Sequence, residues 1–141
     1  MARVTGVAPF FLVADVTKAA EYYRDKLGFR IIGYFFEEPP VFAMVGRDDR
    51  IVMLSLMQTS RGGPNRGHKG EAIDAYLWVD DVDSLYAEFR QNGADILGPP
   101  QLRIYGMKEL EVRDLDGYVL CFGQDLPGSG ASGEAKPCSE C

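Results

Sequence analysis

The chain has 141 residues, an apolar fraction of 46% and a charged fraction of 26%, values typical of a soluble globular protein with one domain or two small modules. Its net charge of −6 argues against a nucleic-acid-binding protein, because phosphates require a basic surface. No apolar run is long enough for a membrane span or a signal-peptide core, so we expect a cytoplasmic protein.

The charge is spread unevenly along the chain. Residues 1–70 hold ten Lys/Arg and seven Asp/Glu (+3), residues 71–124 hold four and eleven (−7), and the remainder holds one and three (−2). An acidic second half is typical of a protein that binds a cationic ligand or a more basic partner. The alternative explanation is that the acidic residues only keep the protein soluble, which would give the same composition.

A first module is predicted over residues 1–57. It begins with a strand over 7–13 and continues with a helix from about Thr17 to Leu27, which Gly28 ends. A second apolar strand is predicted over 52–57. The stretch QTSRGGPNRGHKG (58–70) follows; it is rich in glycine, basic and without periodicity, which indicates a flexible linker.

A second module is predicted over residues 71–124, with strands over 73–79, 107–112 and 118–123. Between the first two of these strands lies a helix whose apolar residues follow the i, i+3, i+4, i+7 pattern. These helical residues are Val82, Leu85, Tyr86 and Phe89, with Asp81 or Asp83 as the cap and Gly93 as the stop. Residues 125–141 have few apolar side chains and are predicted to be disordered.

The three cysteines do not indicate a disulfide framework. Cys121 lies in an apolar strand, whereas Cys138 and Cys141 form a C-x-x-C pair in the predicted tail. No second pair is present to complete a four-ligand zinc site. We therefore expect reduced thiols.

The two modules repeat the same pattern at an offset of 66 residues. FFLVADVTKAAEYYRDKLGFRIIG aligns with YLWVDDVDSLYAEFRQNGADILG, and RDDRIVML (47–54) resembles RDLDGYVL (113–120). Neither module buries enough surface to fold alone at roughly 55 residues. We predict an α+β fold in which two βαβββ modules form a curled, cup-shaped mixed sheet with the helices on its outer face.

Alternation along each predicted strand separates a helix-facing aliphatic set from a second set. The second set would line the inside of the cup and comprises Phe10, Leu12, Met53, Ser55, Met57, Asp74, Tyr76, Trp78, Met107, Glu109, Glu111 and Cys121. A second core layer or a dimer interface would explain each residue singly. Three acids on one inward face would nevertheless be costly without a cationic or solvated partner, which favours a ligand-binding cup.

The doubled βαβββ pattern resembles the vicinal oxygen chelate superfamily, which includes glyoxalase I, extradiol dioxygenases and bleomycin resistance proteins. The segment YGMKELEVRDLDGYVLCFG (105–123) is similar to the closing segment of the bleomycin-resistance branch. The resemblance covers about residues 5–124. It implies a homodimer whose crevices are built from both chains and bind a cationic, ring-bearing antibiotic without altering it. Tyr105 stands where that branch usually has a tryptophan.

The resemblance also implies where the enzymes of the superfamily would hold a divalent metal. Their four ligand positions fall on Ala8, Ser55, Asp74 and Cys121 of this chain, although a shift of one residue would place the second on Leu54. Alanine and serine here are not normal ligands, and a catalytic divalent site needs at least three good donors. We therefore expect no metal and no other cofactor.

The sequence favours a non-catalytic protein that binds a bleomycin-like small molecule, cationic and aromatic, and confers resistance by sequestration. The expected ligand-binding residues are Phe10, Phe36, Phe42, Met53, Ser55, Asp74, Tyr76, Trp78, Tyr105, Met107, Glu109 and Glu111. The alternative is a metal-dependent glyoxalase, dioxygenase or thiol transferase of the same superfamily, which the residues at Ala8 and Ser55 disfavour. A third hypothesis is a scaffold protein in which the residues of the cup pack together as a core and bind no ligand.

No catalytic motif supports the enzyme hypothesis. His68 is the only histidine and lies in the predicted linker, where nothing would hold it in place for acid–base catalysis. The sequence also lacks a G-x-S-x-G motif and a P-loop.

Overall fold

The structure is a computed structural model that describes residues 1–36 and 38–127. The elements are β1 (Phe10–Val13), α1 (Val16–Leu27), β2 (Arg30–Phe35), β3 (Phe42–Arg47), β4 (Arg50–Leu56), β5 (Ala75–Trp78), α2 (Val82–Asn92), β6 (Asp95–Ile96), β7 (Gln101–Leu102), β8 (Met107–Arg113) and β9 (Val119–Asp125). This order confirms the predicted α+β fold with a repeated strand, helix and strands. Cys138 and Cys141 lie outside the described residues, as does the predicted tail from residue 128 onward.

Each module forms its own mixed sheet. The first has the strand order β1-β4-β3-β2, and the second has the order β5-β9-β8-β6, with β7 also pairing with β8. In both sheets the module's first strand pairs in parallel with its last, and the remaining pairs are antiparallel. Within the described ranges no strand ladder joins the two sheets, so the curled sheet is not closed.

The two helices begin and end with the same chemistry. The side chain of Asp15 accepts a hydrogen bond from the backbone of Lys18, and Asp81 accepts one from Ser84 in the same way. Gly28 and Gly93 end the helices in the left-handed conformation, which costs glycine little. Neither helix has the length and apolar character needed to cross a membrane.

The helix-facing sides of the strands form one continuous core with both helices, as predicted. The alternation is clearest in β1, where Phe11 and Val13 are buried while Phe10 and Leu12 are exposed. In β8, Leu110 and Val112 are completely buried and join the same core. The opposite face of each sheet therefore carries the residues that were expected to line a cup.

The modules are joined at the turn between β8 and β9. Tyr118 stacks on Phe11 at a centroid distance of 4.3 Å, and its hydroxyl donates to the carbonyl of Leu12 at 2.8 Å. In the same turn, the carboxylate of Asp114 accepts from the hydroxyl of Tyr23 in α1 at 2.7 Å. Hydrogen bonds and ring contacts at this turn thus hold the second module against the first.

Asp114 is a buried acid whose protonation is linked to folding. Burial raises its pKa from the ordinary value of 3.8 to about 6, although hydrogen bonds from Tyr23 and from the backbone of Tyr118 and Asp116 oppose the shift. A raised carboxyl pKa means that the folded state binds more protons than the unfolded state between these two values. The contribution is therefore complete below pH 4 and is lost as the pH rises through about 6.

Replacing Asp114 should remove this pH dependence. The wild type should lose roughly 3 kcal/mol of unfolding free energy from Asp114 as the pH rises from 4 to 7, because one pKa unit corresponds to about 1.4 kcal/mol. In Asp114→Asn this fall should be absent in urea denaturation curves recorded across that range. The matched control is Leu115→Ala in the same turn, which should shift the stability equally at every pH. Equal pH profiles for wild type and Asp114→Asn would contradict the assignment.

Candidate functional site

The open face of the first sheet carries four phenylalanine rings, here called the aromatic group: Phe10, Phe35, Phe36 and Phe42. The ring of Phe42 lies at the centre, with centroid distances of 6.0, 5.9 and 6.2 Å to Phe10, Phe35 and Phe36. Phe10 is 57% exposed and Phe36 is 84% exposed. Exposed aromatic rings on one surface are typical of a binding face, since such area is normally buried.

Two further predicted residues lie on the same face. Met53 pairs with Phe10 in the ladder between β1 and β4, and Ser55 pairs with Phe42 in the ladder between β3 and β4. Both are only partly buried. They form the floor beside the aromatic group rather than part of the core.

Phe36 adopts an unusual backbone conformation at the end of β2. Its φ is +77°, in the left-handed region that non-glycine residues rarely occupy. This conformation costs about 1–2 kcal/mol and persists only where the surrounding structure or a function requires it. It holds a largely exposed ring beside Phe35 and Phe42.

The open face of the second sheet carries a different set, here called the polar group: Arg66, Tyr76, Trp78, Arg103, Tyr105, Glu109 and Glu111. Glu109 is its centre and is only 6% exposed. Its carboxylate accepts from the Tyr76 hydroxyl at 2.8 Å and from Nε of Arg103 at 3.1 Å. Glu111 accepts from Arg66 at 3.4 Å.

Burial and the nearby Glu109 carboxylate raise the pKa values of Tyr76, Tyr105 and Cys121. Burial is the largest cause for Tyr105, and hydrogen bonding to Glu109 adds to it, so that its pKa rises to about 12. The pKa of Tyr76 is raised for the same two reasons. Burial also raises the pKa of the Cys121 thiol to about 12, helped by the charges of Glu109 and Glu111. These groups therefore stay protonated near neutral pH.

The tyrosine and tryptophan of β5 lie at the exposed edge of the polar group. The rings of Tyr76 and Trp78 are 4.9 Å apart, and Trp78 is 75% exposed. Met107 alternates with Glu109 along β8 and is partly buried on the same face. The second sheet thus offers an open indole beside a hydrogen-bonded carboxylate.

Asp74 has a structural role at the start of the second module. One carboxylate oxygen accepts from the backbone of Asn65 at 2.8 Å, and the other accepts from the backbone of Val119 at 2.9 Å. Asn65 begins a 3₁₀ turn, Asn65–Gly67, inside the segment predicted as a linker. His68 follows this turn, and its side chain is exposed. The carboxylate of Asp74 is therefore engaged by the backbone.

The structure brings the predicted site residues together as two groups. Among residues 1–36 and 38–127, no hydrogen bond, ion pair or ring contact links the aromatic group to the polar group. The two groups lie on separate sheets. Within one chain they form two half-sites.

Sequence reasoning missed three residues of these half-sites: Arg66, Arg103 and Gly123. Arg66 and Arg103 supply the partners that the inward acids require, a requirement that was visible in the sequence but was assigned to the ligand. Gly123 is a glycine inside an apolar strand, which is a known sign of close approach by another group. The side chain that approaches it is Tyr76.

A groove of about 740 Å³ runs beside β5. Leu77 of β5, the following residue Val79 and Phe122 of β9 line it. Charged residues at its rim include Arg50 and Asp81. Ala75 and Leu77 of β5 are only partly buried, in contrast to the buried Val45 of β3 and Leu54 of β4.

The sequence matches the family model of the Glyoxalase/Bleomycin resistance protein/Dioxygenase superfamily over residues 5–122. The chain belongs to this superfamily. No curated protein matches the sequence.

Solved structures with this superfamily's fold are similar to the chain. TioX from Micromonospora sp. ML1 is 24% identical, with a TM-score of 0.69 over 87% of this chain and 100% of that chain. TnmS3, an antibiotic binding protein from Streptomyces sp. CB03234, is 22% identical, with a TM-score of 0.68 over 89% and 98%. A glyoxalase/bleomycin resistance protein/dioxygenase from Alicyclobacillus acidocaldarius is 15% identical, with a TM-score of 0.70 over 89% and 94%. At these identities the similarity shows a shared fold.

The residues at the superfamily's metal-ligand positions do not suit a divalent metal. Ala8 has no donor atom, and both oxygens of Asp74 already accept backbone hydrogen bonds. Cys121 is held as a neutral thiol by its raised pKa, whereas metals bind the thiolate. In the described part of the chain, no group of three or more His, Cys, Asp or Glu residues could hold a metal ion.

Enlarging Gly123 should disrupt the polar group. A Cβ atom at this position would overlap the hydroxyl of Tyr76, so the ring must move and release Glu109. We expect Gly123→Ala to lose about 1–3 kcal/mol of unfolding free energy, because the buried carboxylate loses a donor. The emission of Trp78, the only tryptophan, should shift because its ring contacts Tyr76.

Gly98→Ala is the matched control for this variant. No atom lies within 4 Å of a Cβ atom placed on Gly98, so stability and emission should stay close to those of the wild type. An unchanged emission spectrum in Gly123→Ala would show that Tyr76 does not depend on this glycine.

Proposed function

We propose that the protein binds a flat aromatic small molecule of antibiotic type and confers resistance by sequestering it without chemical change. The observation that carries this proposal is the aromatic group, which exposes phenylalanine rings on an open sheet face. Ring stacking contributes about 0.5–1.5 kcal/mol per aromatic pair beyond the burial of area. The superfamily fold shared with an antibiotic binding protein, TnmS3, supports the same proposal.

The chemistry of the site supports binding rather than reaction. The side chains of the second module that could act as acid, base or nucleophile include Glu109, Glu111, Cys121 and the two tyrosines, and Glu111 already accepts from Arg66. Glu109 already accepts from Tyr76 and Arg103, and the raised pKa values of Cys121 and Tyr105 keep both protonated near neutral pH. A thiol held in this form is a poor nucleophile.

The proposal includes a cytoplasmic homodimer in which each ligand lies between two chains. Phe36 and Trp78 are both mostly exposed, so neither half-site alone encloses a ring. A second copy can place its polar group opposite the aromatic group of the first, and a two-fold axis would then create two equal sites. The exposed apolar residue Leu12, which lies on the same face of β1 as Phe10, is consistent with such a contact. Sedimentation equilibrium would measure the mass of the assembly.

Ligand titration combined with product analysis tests the proposed function. A panel of planar aromatic antibiotics that includes bleomycin should be titrated into the protein. At least one compound should quench the fluorescence of Trp78, and the quenching should level off when the binding sites are filled. Mass spectrometry should then recover the bound compound unchanged. Expression in a susceptible bacterium should raise the inhibitory concentration of the same compound. Catalytic conversion of the compound would overturn the proposal, and so would a panel in which nothing binds.

Phe36 should contribute to binding at the expense of stability. In Phe36→Gly the left-handed backbone conformation loses its penalty, so the unfolding free energy should stay equal or rise by about 1 kcal/mol. Binding of a compound identified in the panel should weaken by about tenfold, which corresponds to roughly 1.4 kcal/mol of lost contact. Urea denaturation and calorimetric titration measure the two effects separately.

Asp49→Gly is the matched control, because Asp49 also has a positive φ, of 64°, and lies in the turn between β3 and β4. It should gain stability in the same way while leaving ligand affinity unchanged. If Phe36→Gly binds as tightly as the wild type, the ring of Phe36 does not contact the ligand.

A further inference from the structure

The three acids of the second module that were expected to face inward already have partners inside the chain. Glu109 accepts from Tyr76 and Arg103, Glu111 accepts from Arg66, and Asp74 accepts from two backbone N–H groups. The sequence had suggested that a cationic ligand would supply these partners. Since protein groups supply them, the acids no longer require a cation.

The two arginines leave hydrogen-bond donors free on the same face. Arg103 uses only Nε, so neither of its terminal nitrogens makes a hydrogen bond to any residue of the described ranges. Arg66 uses Nε for the carbonyl of Ala72 and Nη2 for Glu111, which leaves Nη1. An arginine keeps its proton in proteins, so these nitrogens remain donors at any working pH.

The free donors belong to guanidinium groups that are held in place, and Arg103 shares the Glu109 carboxylate with Tyr76. Glu109 and Glu111 alternate along β8, so their side chains lie on one face at a spacing of about 7 Å. Each carboxylate fixes one guanidinium, which lowers the entropy lost when a ligand binds it. The charges of the two glutamates and two arginines cancel. The half-site therefore offers oriented N–H donors rather than unpaired negative charge.

On the basis of the proposed function, we propose that the site selects planar aromatic ligands that carry an anionic oxygen, a carboxylate or a phenolate, at the ring edge. The terminal nitrogens of Arg103 would bind this oxygen, with a contribution from Nη1 of Arg66. Guanidinium groups bind carboxylates in a bidentate geometry and stack against aromatic rings. The ligand ring would lie beside Trp78, whose exposed indole N–H makes no hydrogen bond within the described part of the chain.

Three anthracene probes with the same ring test this selection. They are anthracene-9-carboxylate, the neutral 9-anthracenemethanol and the cationic 9-anthracenemethylammonium, with dissociation constants measured by the anisotropy of anthracene fluorescence. The carboxylate should bind the wild type at least tenfold more tightly than the ammonium compound. This comparison requires no variant, so it is independent of any effect of mutation on folding.

Variants at Arg103 then identify the group that recognises the oxygen. Arg103→Gln should weaken carboxylate binding about tenfold and leave the affinity for the methanol compound unchanged. Arg103→Lys should recover only part of this loss, because an ammonium cannot make the paired contact. Arg61→Gln, in the exposed part of the segment after β4, is the control and should bind all three probes like the wild type.

The outcomes separate this inference from the proposed function. Tighter binding of the ammonium compound, or an equal loss for all probes in Arg103→Gln, would overturn the inference while the aromatic binding function stands. Failure of all three probes to bind would overturn the inference and count against the proposed function as well.

Discussion

Pairing between acids and arginines on the open face of the second sheet is the constraint on which the site depends. Glu109 is almost fully buried, and an unpaired carboxylate in that position would be strongly destabilising. Arg103 and the hydroxyl of Tyr76 satisfy it from opposite sides. Gly123 leaves room for the Tyr76 ring, so a glycine on β9 determines whether the carboxylate keeps its donor. Small changes in this layer therefore alter both stability and the surface that a ligand meets.

The fold could be predicted from the sequence because hydrophobic periodicity marks the main helices and strands, and capping residues mark the helix ends. The predicted stops Gly28 and Gly93 end the two helices, and of the two predicted caps of α2 the structure uses Asp81. The aliphatic alternation of β1 and β8 also assigned their helix-facing residues correctly, whereas Cys121 of β9, which was expected inside the cup, is buried. The strand lengths were less predictable: residues 7–9 continue the apolar pattern of β1, yet the strand begins at Phe10. Local patterns do not determine which neighbour provides the hydrogen bonds of an edge strand.

The site was only partly predictable, because its polar contacts join residues that are far apart in the chain. Arg66 and Glu111 are separated by 45 residues, and Tyr76 and Glu109 by 33. The spacing of the strands could place Glu109 and Glu111 on an inward face, but it could not reveal which cation would reach them. Arg66 lies in a glycine-rich segment whose composition is typical of a linker. The 3₁₀ turn and the hydrogen bonds that Asn65 donates to Asp74 and Ile73 hold this segment in place.

The duplication also explains why the two half-sites differ in chemistry. Both modules place alternate strand residues on an open face, so each face was available for binding. The first face carries Phe10 and Phe42, which offer ring surface without polar atoms. The second carries carboxylates whose charge is cancelled by arginines, which leaves directed donors. A ligand with a flat apolar ring and an oxygen at its edge would use both faces at once, whereas a ligand lacking either feature would use one. In the proposed homodimer, selectivity for such a molecule would therefore follow from combining two unlike copies of one module.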